Sequence, residues 1–187
     1  ELAQDLGVRT IQLAGYDVYY EEKSPQTRQR FIKNLRKACD WAEEAQVVLA
    51  IEIMDDPFIN SIEKYLAVEK DVDSPYLFVY PDIGNVSAWH NDVYSEFYLG
   101  HHAITALHLK DTYAVTESSK GQFRDVPFGQ GCVKWEEAFD ILKQTNYNGP
   151  FLIEMWSENC ETVEETRAAI QEAQAFLYPL IKKAGLM

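Results

Sequence analysis

The sequence predicts an α/β fold built as a barrel of parallel strands, and three observations carry that expectation. Strand-like and helix-like segments alternate five times along the chain. Four of the strand-like runs finish in a metal-competent side chain: Ile51-Glu52-Ile53, Tyr80-Pro81-Asp82, Leu107-His108-Leu109 and Leu152-Ile153-Glu154. No Gly-x-Gly-x-x-Gly follows the first strand and no Walker sequence occurs, which weakens an open nucleotide-binding sheet. In a parallel barrel the C-terminal strand ends share one mouth, so polar side chains at successive ends favour the barrel.

Taken in order, Val8 to Ala14 is a short strand stopped by Gly15. A helix from about Pro25 to Ala45 places Phe31, Leu35, Ala38 and Ala42 on one face. Val47 to Met54 is nearly continuous in apolar residues, the pattern of a parallel strand covered on both faces. A helix over 60–71, a strand over Leu77 to Tyr80, a helix over 91–100 and a strand over Ile104 to Leu109 follow. Residues 111–132 read as a long polar loop. Trp135 to Asn146 is helical, Gly149-Pro150 is a break, and Phe151 to Met155 is a strand. A last helix runs from Val163 to Ala184, with Pro179 as a kink site. A full barrel needs eight strands and about 250 residues. The 187 residues are therefore expected to form a single domain, an incomplete TIM (β/α)8 barrel comprising the C-terminal five βα units with the first three strands missing. Glu1 to Gly7 agrees, reading as the last turns of a helix that ends on a glycine cap and has lost residues upstream.

Composition narrows the functional classes. A formal charge of −13 argues against a nucleic-acid partner, because a phosphate backbone calls for Lys and Arg. No apolar run reaches the ~18–20 residues of a bilayer span. Cys39, Cys132 and Cys160 are odd in number and widely spaced, so a reduced cytoplasmic setting is expected rather than a disulfide framework. The Trp and Tyr content is compatible with a homo-oligomer, but nothing in the sequence locates an interface.

Each of the four strand-end residues has an ordinary explanation when taken alone. Glu52 and Glu154 could be surface positions at strand ends, Asp82 an Asx turn before Gly84-Asn85, and His108 a satisfied core histidine. Together, at the same end of four successive strands, they point to one divalent ion, Zn or Mn, held by Glu52, Asp82, His108 and Glu154. Three buried carboxylates would otherwise repel one another. Such a site can bind the vicinal oxygens of a ketose and favour the enediolate formed when a carbon-bound proton leaves. With Glu52 and Glu154 as base and acid, return of the proton to the opposite face is epimerisation. Return to the adjacent carbon is aldose–ketose isomerisation. The loop Gly121 to Gly131 carries Arg124 and a Gly129-Gln130-Gly131 turn. Its glycine amides, with Lys110 and Arg124, are candidates for binding a phosphate. Tyr16, Tyr19, Tyr20, Trp89 and Trp156 follow strand ends and either line a sugar site or pack the rim.

Ile-Gln-Leu-Ala-Gly-Tyr-Asp-Val-Tyr-Tyr (11–20), Ile-Glu-Ile-Met-Asp (51–55), Tyr-Pro-Asp-Ile-Gly-Asn (80–85), His-Leu-Lys-Asp-Thr (108–112), Phe-Arg-Asp-Val-Pro-Phe-Gly-Gln-Gly (123–131) and Phe-Leu-Ile-Glu-Met-Trp (151–156) resemble the L-ribulose-5-phosphate 3-epimerases. These enzymes of L-ascorbate utilisation, also called L-xylulose-5-phosphate 3-epimerases, belong to the xylose-isomerase-like TIM barrels. The resemblance covers nearly the whole chain. It implies a divalent metal on Glu52, Asp82, His108 and Glu154, an acid/base pair of Glu52 and Glu154, and a substrate contact from Arg124. It further implies epimerisation at C3 of a pentulose 5-phosphate, with a small sugar phosphate as partner. Related ketose 3-epimerases carry a substrate-binding His three residues after the metal-binding Asp; here Asn85 stands there, and that role is not transferred. The alternatives are a sugar-phosphate aldose–ketose isomerase, an AP endonuclease-like phosphodiesterase on the same fold, and a catalytically inert barrel fragment. The endonuclease would need more His ligands and a basic face.

Overall fold

The structure is a computed structural model that describes residues 1–187. A short helix, α1 (Leu2–Leu6), ends at Gly7 in a left-handed turn, φ 69°. It leads to β1 (Thr10–Ala14), α2 (Pro25–Ala45), β2 (Val48–Glu52), α3 (Ile62–Val72) and β3 (Leu77–Tyr80). Next come α4 (Ile83–Ala88), α5 (Val93–Gly100) and β4 (Leu107–Leu109), then the hairpin strands β5 (Asp111–Tyr113) and β6 (Gln122–Val126). The chain closes with α6 (Trp135–Gln144), β7 (Phe151–Ile153) and α7 (Val163–Lys183).

β1, β2 and β3 pair in parallel, with Gln12 beside Ala50 and Glu52 beside Tyr80. Two further parallel bridges, Val79 to Ile104 and Asp82 to His108, carry the ladder across to β4. β4 pairs in parallel with β7, His108 lying beside Leu152. The result is an arc of parallel strands in the order β1-β2-β3-β4-β7, with β1 and β7 as its edges.

Alternation along each strand divides the side chains between two environments. Ile51, Val79, Leu107 and Leu109 face the helices and are fully buried with Tyr65 of α3, Phe97 of α5, Phe139 and Ile141 of α6 and Leu177 of α7. Ala50, Tyr80 and Ala106 form a separate inner cluster, with Phe78 packed against it. Glu52 and His108 belong to that inner face, one step nearer the C-terminal strand ends. Leu152 lies on the same face at the β7 edge and is 45% exposed, because no strand stands beyond it.

The helices begin where local chemistry dictates. Ser24 and Thr27 form a reciprocal capping box at the start of α2, with Pro25 in the first turn. Thr162 and Glu165 do the same for α7. Asp82 caps α4, accepting the Asn85 amide on Oδ1 at 2.7 Å.

Two differences from the sequence expectation have local causes. Residues 111–132 are not a plain loop, since 111–113 and 122–126 pair as an antiparallel hairpin. Thr112, Tyr113, Phe123 and Val126 suit strands, and Asp125 bends β6 by adopting a left-handed conformation, φ 56°. α4 was hidden because Pro81-Asp82 and Gly84-Asn85 carry turn chemistry.

Gly84 sets the approach of α4 to the β4–β5 link. A Cβ there would lie 2.7 Å from the Lys110 carbonyl and 2.8 Å from Thr112 Cγ2. Thr112 Oγ1 also donates to the Gly84 carbonyl at 2.8 Å. Gly84→Ala is expected to destabilise the fold by about 1–3 kcal/mol through overpacking, read from chemical denaturation.

Candidate metal centre

The inner face of the arc delivers Glu52 from the end of β2, His108 from β4, Asp82 from just past β3 and Glu154 from just past β7. One ligand atom from each lies within 4.8 Å of all the others. His108 Nδ1 is their common neighbour: Glu154 Oε2 is 2.8 Å away, Glu52 Oε1 3.0 Å and Asp82 Oδ2 3.8 Å. Asp82 is wholly buried, and Glu52 and His108 are nearly so.

Each carboxylate is oriented by a neighbour. Gln12 of β1 donates through Nε2 to Glu52 Oε2 at 2.7 Å. Asp82 gives Oδ1 to the α4 cap and leaves Oδ2 facing the cluster, buried without a hydrogen-bond partner. Asp82 thus makes the expected turn-type cap with one oxygen and leaves the other facing the cluster. Glu154 Oε2 is a second buried oxygen without a hydrogen-bond partner, and Glu154 Oε1 accepts from Lys110 Nζ at 3.1 Å.

The charges show what the cluster needs. Burial pushes the Asp82 carboxyl well above the ordinary range, and Lys110 offsets this only in part. Burial also raises Glu154, but its neighbours His108 and Asp82 and the Lys110 charge outweigh it and leave Glu154 low. Burial alone would lower His108; Glu154 and Glu52 reverse that and lift it to about 9. Burial, then Glu52 and Glu154, push the phenol of Tyr80 up to about 12, its ring 4.7 Å from that of His108. Two like charges ~4 Å apart repel by roughly 4 kcal/mol at an effective dielectric of about 20. Several such pairs rival the net stability of a domain, so the cluster holds either protons or a cation. Three carboxylate oxygens, two of them buried without a hydrogen-bond partner, and one imidazole nitrogen fit a divalent metal.

The other sequence candidates fall in three places. Lys110 sits within the cluster, its Nζ 3.3 Å from Asp82 Oδ2 as well as hydrogen-bonded to Glu154. Arg124 is exposed on β6, with its guanidinium 4.7 Å over the Trp156 ring and no carboxylate partner. It lines a cavity of about 420 Å³ together with Glu154, Trp156, Phe123, Phe128 and Asn159. Gly129 and Gly131 do not offer their amides to that cavity. Both N–H groups donate to Asp111 Oδ2, at 2.8 and 3.1 Å. Asp111 Oδ1 takes the Thr112 and Val133 amides, so this one buried carboxylate pins the 129–133 turn. Of the aromatics, Trp156 lines the cavity, Trp89 stacks near Phe123, and Tyr16 donates to Asp55 at 2.5 Å. Tyr19 and Tyr20 project from an exposed turn. Asn85 turns its Nδ2 to the Ile53 carbonyl at 2.8 Å.

Sequence reasoning missed Gln12 and the role of Asp111. Gln12 carried a usable signal, because Ile11-Gln12-Leu13 has the same apolar–polar–apolar form as Ile51-Glu52-Ile53 and Leu107-His108-Leu109. Asp111 carried none, since its partners are backbone groups some twenty residues further on.

A parallel α/β arc with this centre at its strand ends defines a class, and the comparisons agree with it. Residues 1–180 match the family described as Xylose isomerase-like TIM barrel, and the chain belongs to that family. L-ribulose-5-phosphate 3-epimerase UlaE of Escherichia coli O157:H7 is 47% identical over 187 residues, all of this chain and 63% of that protein. SgbU of Haemophilus influenzae, which bears the same enzyme name provisionally, is 51% identical over 187 residues, all of this chain and 64% of that protein. The chain therefore spans slightly less than two thirds of these relatives. A solved L-ribulose 3-epimerase superposes with a TM-score of 0.77 at 20% identity, covering 98% of this chain and 64% of that one. A D-allulose 3-epimerase from Methylomonas sp. gives 0.73 at 17% identity, covering 98% and 65%. These two likenesses establish the shared fold. No helix is long and apolar enough to cross a membrane.

Titration with Mn²⁺ or Zn²⁺ is expected to show one tight site and to raise the melting temperature, with a chelator reversing the shift. Asp82→Asn and His108→Ala should each weaken binding by at least about tenfold in calorimetry.

Proposed function

We propose that this chain is the metal-binding part of a ketose-phosphate 3-epimerase, interconverting L-xylulose 5-phosphate and L-ribulose 5-phosphate. The observation that carries the proposal is the convergence of Glu52, Asp82, His108 and Glu154, with the unpaired Arg124 on the adjoining cavity. The names of the relatives at 47% and 51% identity supply the substrate. In this reading the five parallel strands correspond to the C-terminal five of eight βα units, and the enzyme works in the reducing cytoplasm, consistent with three free cysteines.

Glu52, Asp82, His108 and Glu154 would hold one divalent ion, most suitably Mn²⁺ or Zn²⁺. When bound, that ion supplies Lewis acidity to the ketose oxygens. Glu52 and Glu154 approach His108 from β2 and from the far side of β4, so they flank the ketose placed between them. One carboxylate takes the C3 proton and leaves the sugar as a planar enediolate. The other returns a proton to the opposite face, which inverts C3. Gln12 holds Glu52 in position for this exchange, and Asn85, hydrogen-bonded to the Ile53 carbonyl, braces α4 under Asp82. Arg124 receives the phosphate, since its charge is free, its ring stack is pre-formed, and it lines the same cavity as Glu154. The Gly129 and Gly131 amides serve Asp111 and have no part in this assignment.

The test follows C3 in the full-length protein. In deuterated water L-xylulose 5-phosphate should give the C3 epimer with deuterium at C3, seen by NMR. Glu52→Gln or Glu154→Gln should slow turnover by about 10²–10⁴-fold. Label or product at C1 and C2 would instead establish an aldose–ketose isomerase, and normal turnover in both variants would refute the two-carboxylate scheme. Arg124→Ala should raise KM for the phosphorylated ketose by roughly tenfold or more and leave KM for the unphosphorylated sugar unchanged.

A further inference from the structure

One buried cation is left without a task by the chemistry above. Lys110 is 7% exposed, and its ammonium contacts Glu154 Oε1 at 3.1 Å and Asp82 Oδ2 at 3.3 Å. It is the only Lys or Arg ion-paired to any of the three cluster carboxylates. Glu52, on the other flank, is served by the neutral amide of Gln12 instead. The reach of Lys110 is therefore spent inside the cluster, and the free charge on the cavity is that of Arg124.

The charge count gives this arrangement a meaning. Three carboxylates outweigh one divalent ion by a single negative charge, and His108 as a neutral ligand does not alter the balance. A surplus charge in a buried site is costly unless a partner stands next to it. Lys110 supplies that one charge, and supplies it at Asp82 and Glu154, neither of which is ion-paired to another Lys or Arg. We propose that Lys110 is a built-in counter-ion of the metal centre: a positioning residue that holds Asp82 and Glu154 side by side and brings three carboxylates plus a divalent ion to electrical neutrality. The proposal rests on the reading of the four groups as divalent-cation ligands and is independent of the sugar they act on.

An ammonium in that place does two opposing things. It relieves carboxylate repulsion when no metal is bound, and it repels the metal when one is. Removing its charge should therefore weaken the metal-free fold and strengthen metal binding. A residue that merely props the ligands would, on removal, weaken both. A phosphate ligand would, on removal, leave metal binding unchanged.

Mn²⁺ calorimetry and thermal unfolding of the full-length protein separate these cases. Lys110→Met should bind Mn²⁺ at least about tenfold more tightly than wild type. It should melt below wild type in chelator, with the gap narrowing in Mn²⁺. Lys110→Arg should return the affinity to within about threefold of wild type. Lys110→Gln keeps a donor for the carboxylates but no charge, so it should also bind more tightly, and it decides the matter if Lys110→Met does not fold. Unchanged or weaker binding in the uncharged variants overturns the proposal, as does failure of both to fold even in Mn²⁺. If wild type itself binds no Mn²⁺ or Zn²⁺, the metal-site reading fails first and takes this proposal with it; if wild type binds and the uncharged variants do not tighten, only the counter-ion role is lost.

Discussion

Mutual repulsion among three buried carboxylates is the constraint around which this chain is organised. Glu52, Asp82 and Glu154 are brought against a single imidazole nitrogen in a site shielded from solvent. Such a cluster persists only if something positive stands in it or protons neutralise it. Gln12, Lys110 and the α4 cap each quiet one oxygen, and the oxygens left over are the ones gathered around His108 Nδ1. The rest of the fold can be understood as the scaffold that makes this costly convergence tolerable.

That scaffold works by register. Parallel pairing aligns Glu52 with Tyr80 and Asp82 with His108, so one step along the ladder moves from the apolar floor to the polar mouth. Alternation then sends Ile51, Val79, Leu107 and Leu109 outward into the helices, where their burial sustains the arc. The cluster residues and the core are thus interleaved residue by residue on the same strands. A slip of one residue in any strand would exchange the two sets and lose both.

Much of this was legible in the sequence because it depends on short-range pattern. Apolar triplets interrupted by Glu52 or His108 announce a polar group on an otherwise buried strand, and the strand–helix alternation sets the class of fold. α2 began at Pro25 and ended at Ala45 as its capping and periodicity required. What was not legible depends on contacts between distant segments. The Gly129-Gln130-Gly131 turn looks like an anion cradle until Asp111 is seen to occupy its amides. Lys110 reads in the sequence as a candidate phosphate-binding cation, and only the folded arc shows it against Asp82 and Glu154. The hairpin of β5 and β6 is assembled from strands too short to show a period, and α4 is masked by the turn residues that start it.

The hairpin gives the molecule a division of labour. Its first strand begins immediately after Lys110, yet Arg124 lies on its second strand, out over the cavity beside Trp156. The four-residue cluster is carried by the strands of the arc, whereas Arg124, the proposed phosphate-binding group, is carried by an appendage hung from one of them. If the proposed function holds, changes in the length or tip of that appendage would alter which substrates are accepted without disturbing the strands that carry the cluster. Divergence of specificity within such a scaffold therefore has an obvious place to occur, and its chemistry has an equally obvious place to stay the same.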